Sequence, residues 1–330
     1  MYERFFGFRE RPFELTSDPR FLFLSPSHQE ALTHLQYGIS SRKSLTVVVG
    51  DVGTGKTTLV RRTLALAENQ GTHCVFLKNP NVTPEEFSAF LGRHFNCAPV
   101  GTARALSFEL LEKELTHRWA TGQACALIVD EAQSLSDEMF EELRLLTNME
   151  TDTAKLLPLL LVGQSELGHR LNDHKLRYLK QRIALRCLLR PLEMSETAAY
   201  IVARISAVGG QSGTVFSREA VVAIHEAAHG LPRAISVLCD NALVTAFAAG
   251  TKPVTARIVA EVCRDFDYER AASADEAEEG IDSVGEVEPA AGATGPEPQA
   301  PVADRDSVAQ VFDDFQRRRF SIFGSGSGGQ

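Results

Sequence analysis

Between residues 45 and 190, short apolar runs alternate with stretches whose apolar positions recur every three or four residues. The runs Leu45–Val49, Cys74–Lys78, Cys125–Asp130, Leu156–Val162 and Ile183–Leu188 read as strands. The stretches between them, Thr57–Asn69, Pro84–Phe95, Leu106–Thr121 and Asp137–Thr147, read as amphipathic helices. Alternation of this kind predicts an α/β fold, a parallel sheet with helices on both faces. From Ser195 the strand signal stops. Four helical patterns follow: Ser195–Val208, Ser217–Ala228, Pro232–Ala249 and Thr255–Phe266. Ser217 ahead of Glu219 and Pro232 in a first turn are helix-start signals. They predict a small all-helical domain joined to the α/β domain near residues 190–195.

The pattern changes again beyond Asp267. Residues 269–303 are rich in Ala, Glu, Gly and Pro and almost without large apolar side chains, which predicts a disordered acidic linker. In residues 304–330, Val308, Val311, Phe312 and Phe315 fall on one helical face, with Arg317, Arg318 and Arg319 late, as the helix dipole favours. That predicts a short tethered amphipathic helix followed by a Gly/Ser tail. The expected organisation is therefore a lead-in at 1–44, an α/β domain at 45–194, a helical domain at 195–268, and the linker and helix. Charge sharpens this division. Of a net charge of −9, nearly all sits from Glu269 onward, where 13 acidic residues face 5 basic ones. The remaining body is close to neutral and carries no basic footprint for nucleic acid.

No apolar run approaches the ~18 residues a membrane span needs, and the amino-terminal MYERFFGFRERPF lacks a continuous apolar stretch of the signal-peptide kind. The six cysteines include no CxxC and all lie in apolar stretches, which predicts reduced, buried thiols.

Chemistry concentrates in two places. Gly50, Asp51, Val52, Gly53, Thr54, Gly55, Lys56 and Thr57 spell GxxxxGK[ST], with Thr58 following, directly after one strand and at the opening of a helix. That is the context the phosphate-loop motif requires. Its glycines let the backbone wrap a phosphate and aim N–H groups at it. Lys56 is placed for the β- and γ-phosphates of ATP, and the Thr57 hydroxyl for Mg²⁺. The second place is Ala124–Glu131, an apolar strand ending in two acids. Asp130 is the candidate for the Mg²⁺ shell and Glu131 for the general base that polarises an attacking water. A third motif, HExxH at His225–His229, has zinc-peptidase spacing, but Gly230-Leu231-Pro232 ends its helix at once. It reads as two histidines near a helix C-terminus.

These residues resemble those of the AAA+ ATPases of the ExeA/GspA type, which serve secretion and pilus systems; ATPases of exosortase systems look similar. The resemblance runs over most of residues 1–268: the opening YERFFGFRERPFELTSDPRFLFLSPSHQEALTHLQYGI, then GDVGTGKTT, LIVDEAQ, LLVGQSEL, LKQRI and HGLPRAISVLCDNAL. It implies a P-loop NTPase of the AAA+ type, a three-layer parallel sheet with a carboxy-terminal helical lid. It further implies an ATPase that assembles with itself and serves an envelope secretion or polysaccharide-export machine. Carried over by position, Gln164 is the sensor-1 residue near the γ-phosphate and Asn79 a brake on Glu131. Arg182 is an arginine finger acting in trans, and Arg233 the sensor-2 arginine. Longer ExeA-type proteins continue into a transmembrane segment and a peptidoglycan-binding domain. This sequence shows neither, which favours a cytoplasmic motor or switch. Transposition ATPases of the TniB/TnsC kind are more distant, and a DNA-dependent ATPase is the alternative; the neutral body and acidic tail speak against it.

Overall fold

The computed structural model describes residues 1–15, 21, 23–97 and 103–266. The linker expected at 269–303 and the helix expected at 304–330 lie outside the described residues. The described chain forms two compact units, one of residues 16–191 and one that joins Met1–Leu15 to the chain from Leu192 onward.

The first unit is built on a five-stranded parallel sheet: β1 (Leu45–Gly50), β2 (His73–Leu77), β3 (Cys125–Val129), β4 (Leu159–Gly163) and β5 (Ile183–Leu189), in spatial order β2-β3-β4-β1-β5. β1, β3 and β4 are buried along their whole length, as a parallel strand covered on both faces must be. Period-two alternation divides their side chains. Leu45, Val47, Val49, Leu127 and Val129 point into one layer, with Phe87, Leu91, Leu111, Phe140, Leu143 and Leu167. These come from α4 (Pro84–Phe95), α5 (Arg104–Ala120), α6 (Asp137–Thr147) and α7 (Ser165–Asn172). Val48, Ala126, Ile128 and Leu160 point into the other layer, against Ala31, Leu35, Leu59 and Val60 of α2 (Pro26–Ser40) and α3 (Lys56–Asn69). A short helix, α8 (Arg177–Lys180), leads into β5. This is the three-layer α/β architecture that the alternation predicts. β4 starts three residues later than its apolar run. Pro158 has no N–H to give the ladder, so the strand begins at Leu159, whose N–H bonds Ser44 O at 3.1 Å.

The second unit contains α9 (Met194–Ala207), α10 (Arg218–Ala228), α11 (Pro232–Ala248) and α12 (Ala256–Asp265), preceded in the chain by α1 (Tyr2–Phe6). Ser217 caps α10 by accepting the Ala220 N–H, and Pro232 opens α11. The amino-terminal aromatics belong to this core. Tyr2, Phe6, Phe8 and Phe13 are buried; Phe13 meets Phe216 edge-on, Phe5 meets Phe247, and the Tyr2 hydroxyl bonds Asp240. Arg204 of α9 ties the segment down through the carbonyls of Pro12 and Glu14. Gly210 has to be glycine, because a Cβ there would sit 2.5 Å from the Phe8 ring. The lead-in taken from sequence as one piece, 1–44, is thus divided. Its aromatic half packs with the helical unit, and its second half forms α2 on the sheet.

Candidate functional site

The carboxyl ends of β1, β3 and β4 converge, the edge at which open α/β sheets bind ligands. β1 ends at Gly50 and the chain turns through Asp51–Gly55 into α3. Gly53 and Gly55 hold φ of 86° and 98°, a region closed to most side chains. Lys56, 6% exposed, donates through Nζ to the carbonyls of Gly50 and Asp51, both at 2.8 Å. Burial lowers its pKa, against the opposing pull of Glu131, Asp130 and Asp51. Thr54 is buried, its hydroxyl on Asp51 O at 2.8 Å; Val52 is exposed; Thr58 lies half-buried in the first turn of α3. Asp51 accepts a hydrogen bond from Ser165 at the start of α7.

The Thr57 hydroxyl donates to Asp130 Oδ2 at 3.0 Å. Asp130 is 2% exposed and its other oxygen accepts the Glu131 N–H at 3.0 Å. Burial raises the Asp130 pKa, partly offset by the Thr57 hydrogen bond and the Lys56 charge. A hydroxyl and a buried, incompletely neutralised carboxylate side by side form a hard oxygen pair, the donor type that suits Mg²⁺ when phosphate oxygens supply further ligands. The residues therefore fit the ion.

Glu131 follows at φ 53°, a left-handed conformation uncommon for a glutamate. Its Oε2 accepts from Gln133 Nε2 at 2.6 Å and Gln164 Nε2 at 3.1 Å. Burial pushes its pKa up, but these two bonds and Lys56 outweigh it, so the carboxyl is held below the usual glutamate range. Gln133 also receives the Gln164 N–H on Oε1 at 3.0 Å. A Cβ at Gly163 would stand 2.8 Å from that same oxygen, which explains the glycine at the end of β4. Arg170 of α7 holds the turn that carries Gln133, through the carbonyls of Gln133 (2.8 Å) and Leu135 (2.5 Å) and through Asp137 (2.8 Å).

Asn79 and Arg182 lie outside this cluster, and Arg233 belongs to the other unit. Asn79 is exposed and accepts the Asn81 N–H at 3.3 Å; the glutamines hold the Glu131 carboxylate in the place expected for Asn79. Arg182 precedes β5, where Ile183 pairs with Leu45, whereas the phosphate loop leaves β1 at Gly50, opposite Leu189. About five residues of strand, roughly 17 Å, separate the two edges. Arg182 is held there by Tyr178 O (3.1 Å) and Asn148 Oδ1 (2.9 Å). Arg233 is exposed in the first turn of α11 in the helical unit. The HExxH pair does not share a helical face. α10 ends at Ala228, His229 is its left-handed cap at φ 48°, and His225 Nδ1 lies 2.8 Å from the Thr197 hydroxyl.

One supporting residue carries no sequence motif. His28, 3% exposed in the first turn of α2, lies with Nε2 2.7 Å from Thr54 O and Nδ1 2.7 Å from the Ser25 hydroxyl. A carbonyl can only accept, so Nε2 carries the proton and donates to Thr54, and Ser25 donates to Nδ1. Ser25 is legible from sequence as a serine ahead of Pro26; His28 and Gln133 lie inside segments that carry the resemblance but with no role assigned, and nothing local marks Arg170.

A phosphate loop on β1, an acid pair closing β3, a polar glutamine closing β4 and a helical unit after the sheet define a P-loop nucleotide-binding protein of the AAA type. Residues 39–171 match the family model of the AAA domain, so the chain carries that domain. Over 255 residues it is 38% identical to the General secretion pathway protein A of Aeromonas hydrophila, an alignment covering 77% of this chain and 46% of that protein. The chain thus spans about half the length of that relative. Among solved structures it is similar to the Aeropyrum pernix ORC1 protein in complex with DNA, with a TM-score of 0.55 and 17% identity over 84% of this chain and 73% of that one. It is also similar to the ADP form of Aeropyrum pernix ORC2, with a TM-score of 0.53 and 19% identity over 77% and 72%. These two share the fold. Among the described residues no helix is long and apolar enough to cross a membrane.

Proposed function

We propose that the protein is a Mg²⁺-dependent ATPase that hydrolyses ATP to ADP and phosphate, acts as a homo-oligomer and serves an envelope secretion or export machine. The observation that carries the chemistry is the Thr57–Asp130 pair at 3.0 Å beside Lys56, with Glu131 poised one residue on. Loop N–H groups and Lys56 bind the phosphates. Thr57 and Asp130 would hold Mg²⁺, which neutralises phosphate charge when bound. Glu131 takes the proton of the attacking water. Held ionised by Gln133 and Gln164, it is a competent acceptor at neutral pH, but one oxygen is already doubly hydrogen-bonded, so its free oxygen must face the water. Gln164, bonded to that carboxylate, orients the same site.

Arg182 lies too far from its own phosphate loop to act there, which favours a role on a neighbouring subunit. Arg233 is a cation in the first turn of a helix, where the dipole disfavours it. That placement suits an arginine kept for an anion, and we assign it to nucleotide phosphate. The secretion role rests on the similarity to the General secretion pathway protein A.

Paired variants test the reading. Lys56→Ala should abolish ATP binding or weaken it severely. Glu131→Gln should bind normally and hydrolyse ~10²-fold more slowly or worse. Wild-type ATP affinity in Lys56→Ala, or wild-type turnover in Glu131→Gln, refutes the corresponding role. In cells, Lys56→Ala should fail to restore export in a strain lacking the protein; full restoration refutes the secretion role.

A further inference from the structure

Away from the phosphate loop, α2 and the edge strand β5 bring three unlike metal-binding side chains together. Glu30 and His34 are four residues apart on α2, hence on one helical face. Cys187 lies on β5, where alternation turns Cys187 and Leu189 inward against α2 and leaves Arg186 and Leu188 outside. A carboxylate oxygen of Glu30, a ring nitrogen of His34 and Cys187 Sγ all lie within 4.8 Å of one another. Cys187 is buried, His34 half-buried and Glu30 exposed, so the group runs from the core to solvent. A second observation points to a ligand. His34 Nδ1 is buried and has no hydrogen-bond partner. Most buried polar atoms find a partner, and His34 Nδ1 is among the few described ones that do not.

We propose that Glu30, His34 and Cys187 form a binding site for a borderline-soft divalent metal of the zinc type. Three atoms no more than 4.8 Å apart lie within about 2.8 Å of a common centre, and zinc bonds to S, N and O run about 2.0–2.3 Å. Closing the difference takes a side-chain shift of about half an ångström. The donor set selects the metal: a thiolate with an imidazole disfavours Mg²⁺ and Ca²⁺ and suits Zn²⁺. Binding releases the thiol proton to solvent, and the exposed edge leaves a fourth position for water. The site would clamp α2 to the sheet edge. The same helix holds His28 on the phosphate loop, six residues before His34. The proposal stands apart from the nucleotide reading, since none of its ligands belongs to that site.

The test uses the nucleotide-free full-length chain. After dialysis against chelator, Zn²⁺ is titrated against a chromophoric competitor, and Co²⁺ is added separately as a spectroscopic probe. One equivalent should bind, and cobalt should show thiolate charge-transfer absorption. Cys187→Ser should lose that absorption, and His34→Gln should weaken binding about tenfold or more. Cys187→Ser perturbs the core and needs a melting check. Glu30→Gln sits at an exposed position, should fold normally, and should still weaken binding measurably. Cys74→Ser and His225→Gln should leave both metals bound. Absence of stoichiometric Zn²⁺ in the wild type, cobalt without a thiolate band, or equal affinity in Glu30→Gln and His34→Gln overturns the proposal.

Discussion

The His28 ring of α2 is bonded to the phosphate-loop backbone, and its removal is the most informative single change. His28→Ala deletes a buried imidazole and takes its bond from the Thr54 carbonyl and from the Ser25 hydroxyl, each 2.7 Å from the ring; Ser25 keeps the Ser27 hydroxyl at 3.1 Å, so the carbonyl is the group left short. An unsatisfied buried polar group costs about 1–3 kcal/mol, and the missing ring adds a cavity term. Relaxation and water entry recover part, so a loss of about 2–4 kcal/mol is expected. For a unit of this size that is a fall of roughly 5–10 °C in melting temperature. The orphaned carbonyl belongs to the loop that binds phosphate, so some of the loss appears as loop disorder that ATP must reverse on binding. If about 1.4 kcal/mol falls there, ATP affinity drops about tenfold. Calorimetry with ATP, beside thermal melts, separates the two effects. His28→Gln keeps an N–H donor on the same helical turn and should recover much of the affinity. Unchanged melting and unchanged ATP affinity in His28→Ala would refute the argument that this histidine braces the loop.

Gln133→Ala removes the first of the hydrogen bonds that lower the Glu131 pKa, so that pKa should rise. The base works ionised, so the acid limb of the hydrolysis profile should move to higher pH; an unmoved limb refutes the coupling. The stability sign is the same. A glutamate held below its unfolded value stabilises the fold above that value and loses this as pH falls through the folded one, so the variant should show a weaker acid dependence. Arg182→Ala mixed with Lys56→Ala should recover activity that neither has alone, because an intact site can form where one subunit gives the loop and the other the arginine. A wild type that stays monomeric at every ATP and protein concentration yet turns over fully defeats this. Duplex DNA should leave the ATPase rate unchanged at any salt; salt-sensitive stimulation would favour a DNA-dependent enzyme.

The sheet was legible because each strand is a self-contained run between turn signals. The phosphate loop was legible because its chemistry is written in eight consecutive residues and needs no distant partner. His28 and Arg170 act across 26 and 37 residues of chain. A lone polar residue carries no period or spacing that reveals such a partner. The amino-terminal aromatics failed for another reason. Tyr2, Phe6, Phe8 and Phe13 announce burial, but hydrophobicity is not directional, and nothing in FFGFRERPF says which of two cores will take it. The role given to Asn79 came from the resemblance alone; in the structure it bonds Asn81, and two glutamines hold the carboxylate.

The separation of Arg182 from the phosphate loop has a consequence for counting. One lies where the strands begin and the other where they end, so under the proposed role in trans a neighbour offering its arginine would present the surface opposite to the one that receives it. Such contacts are head-to-tail and cannot be made reciprocally by a two-fold pair. An open row of subunits then always ends on one site with no arginine, whereas a closed ring has none. Specific activity per chain should climb with the length of the row and level off at closure, so the curve of rate against protein concentration records the architecture without an image of it.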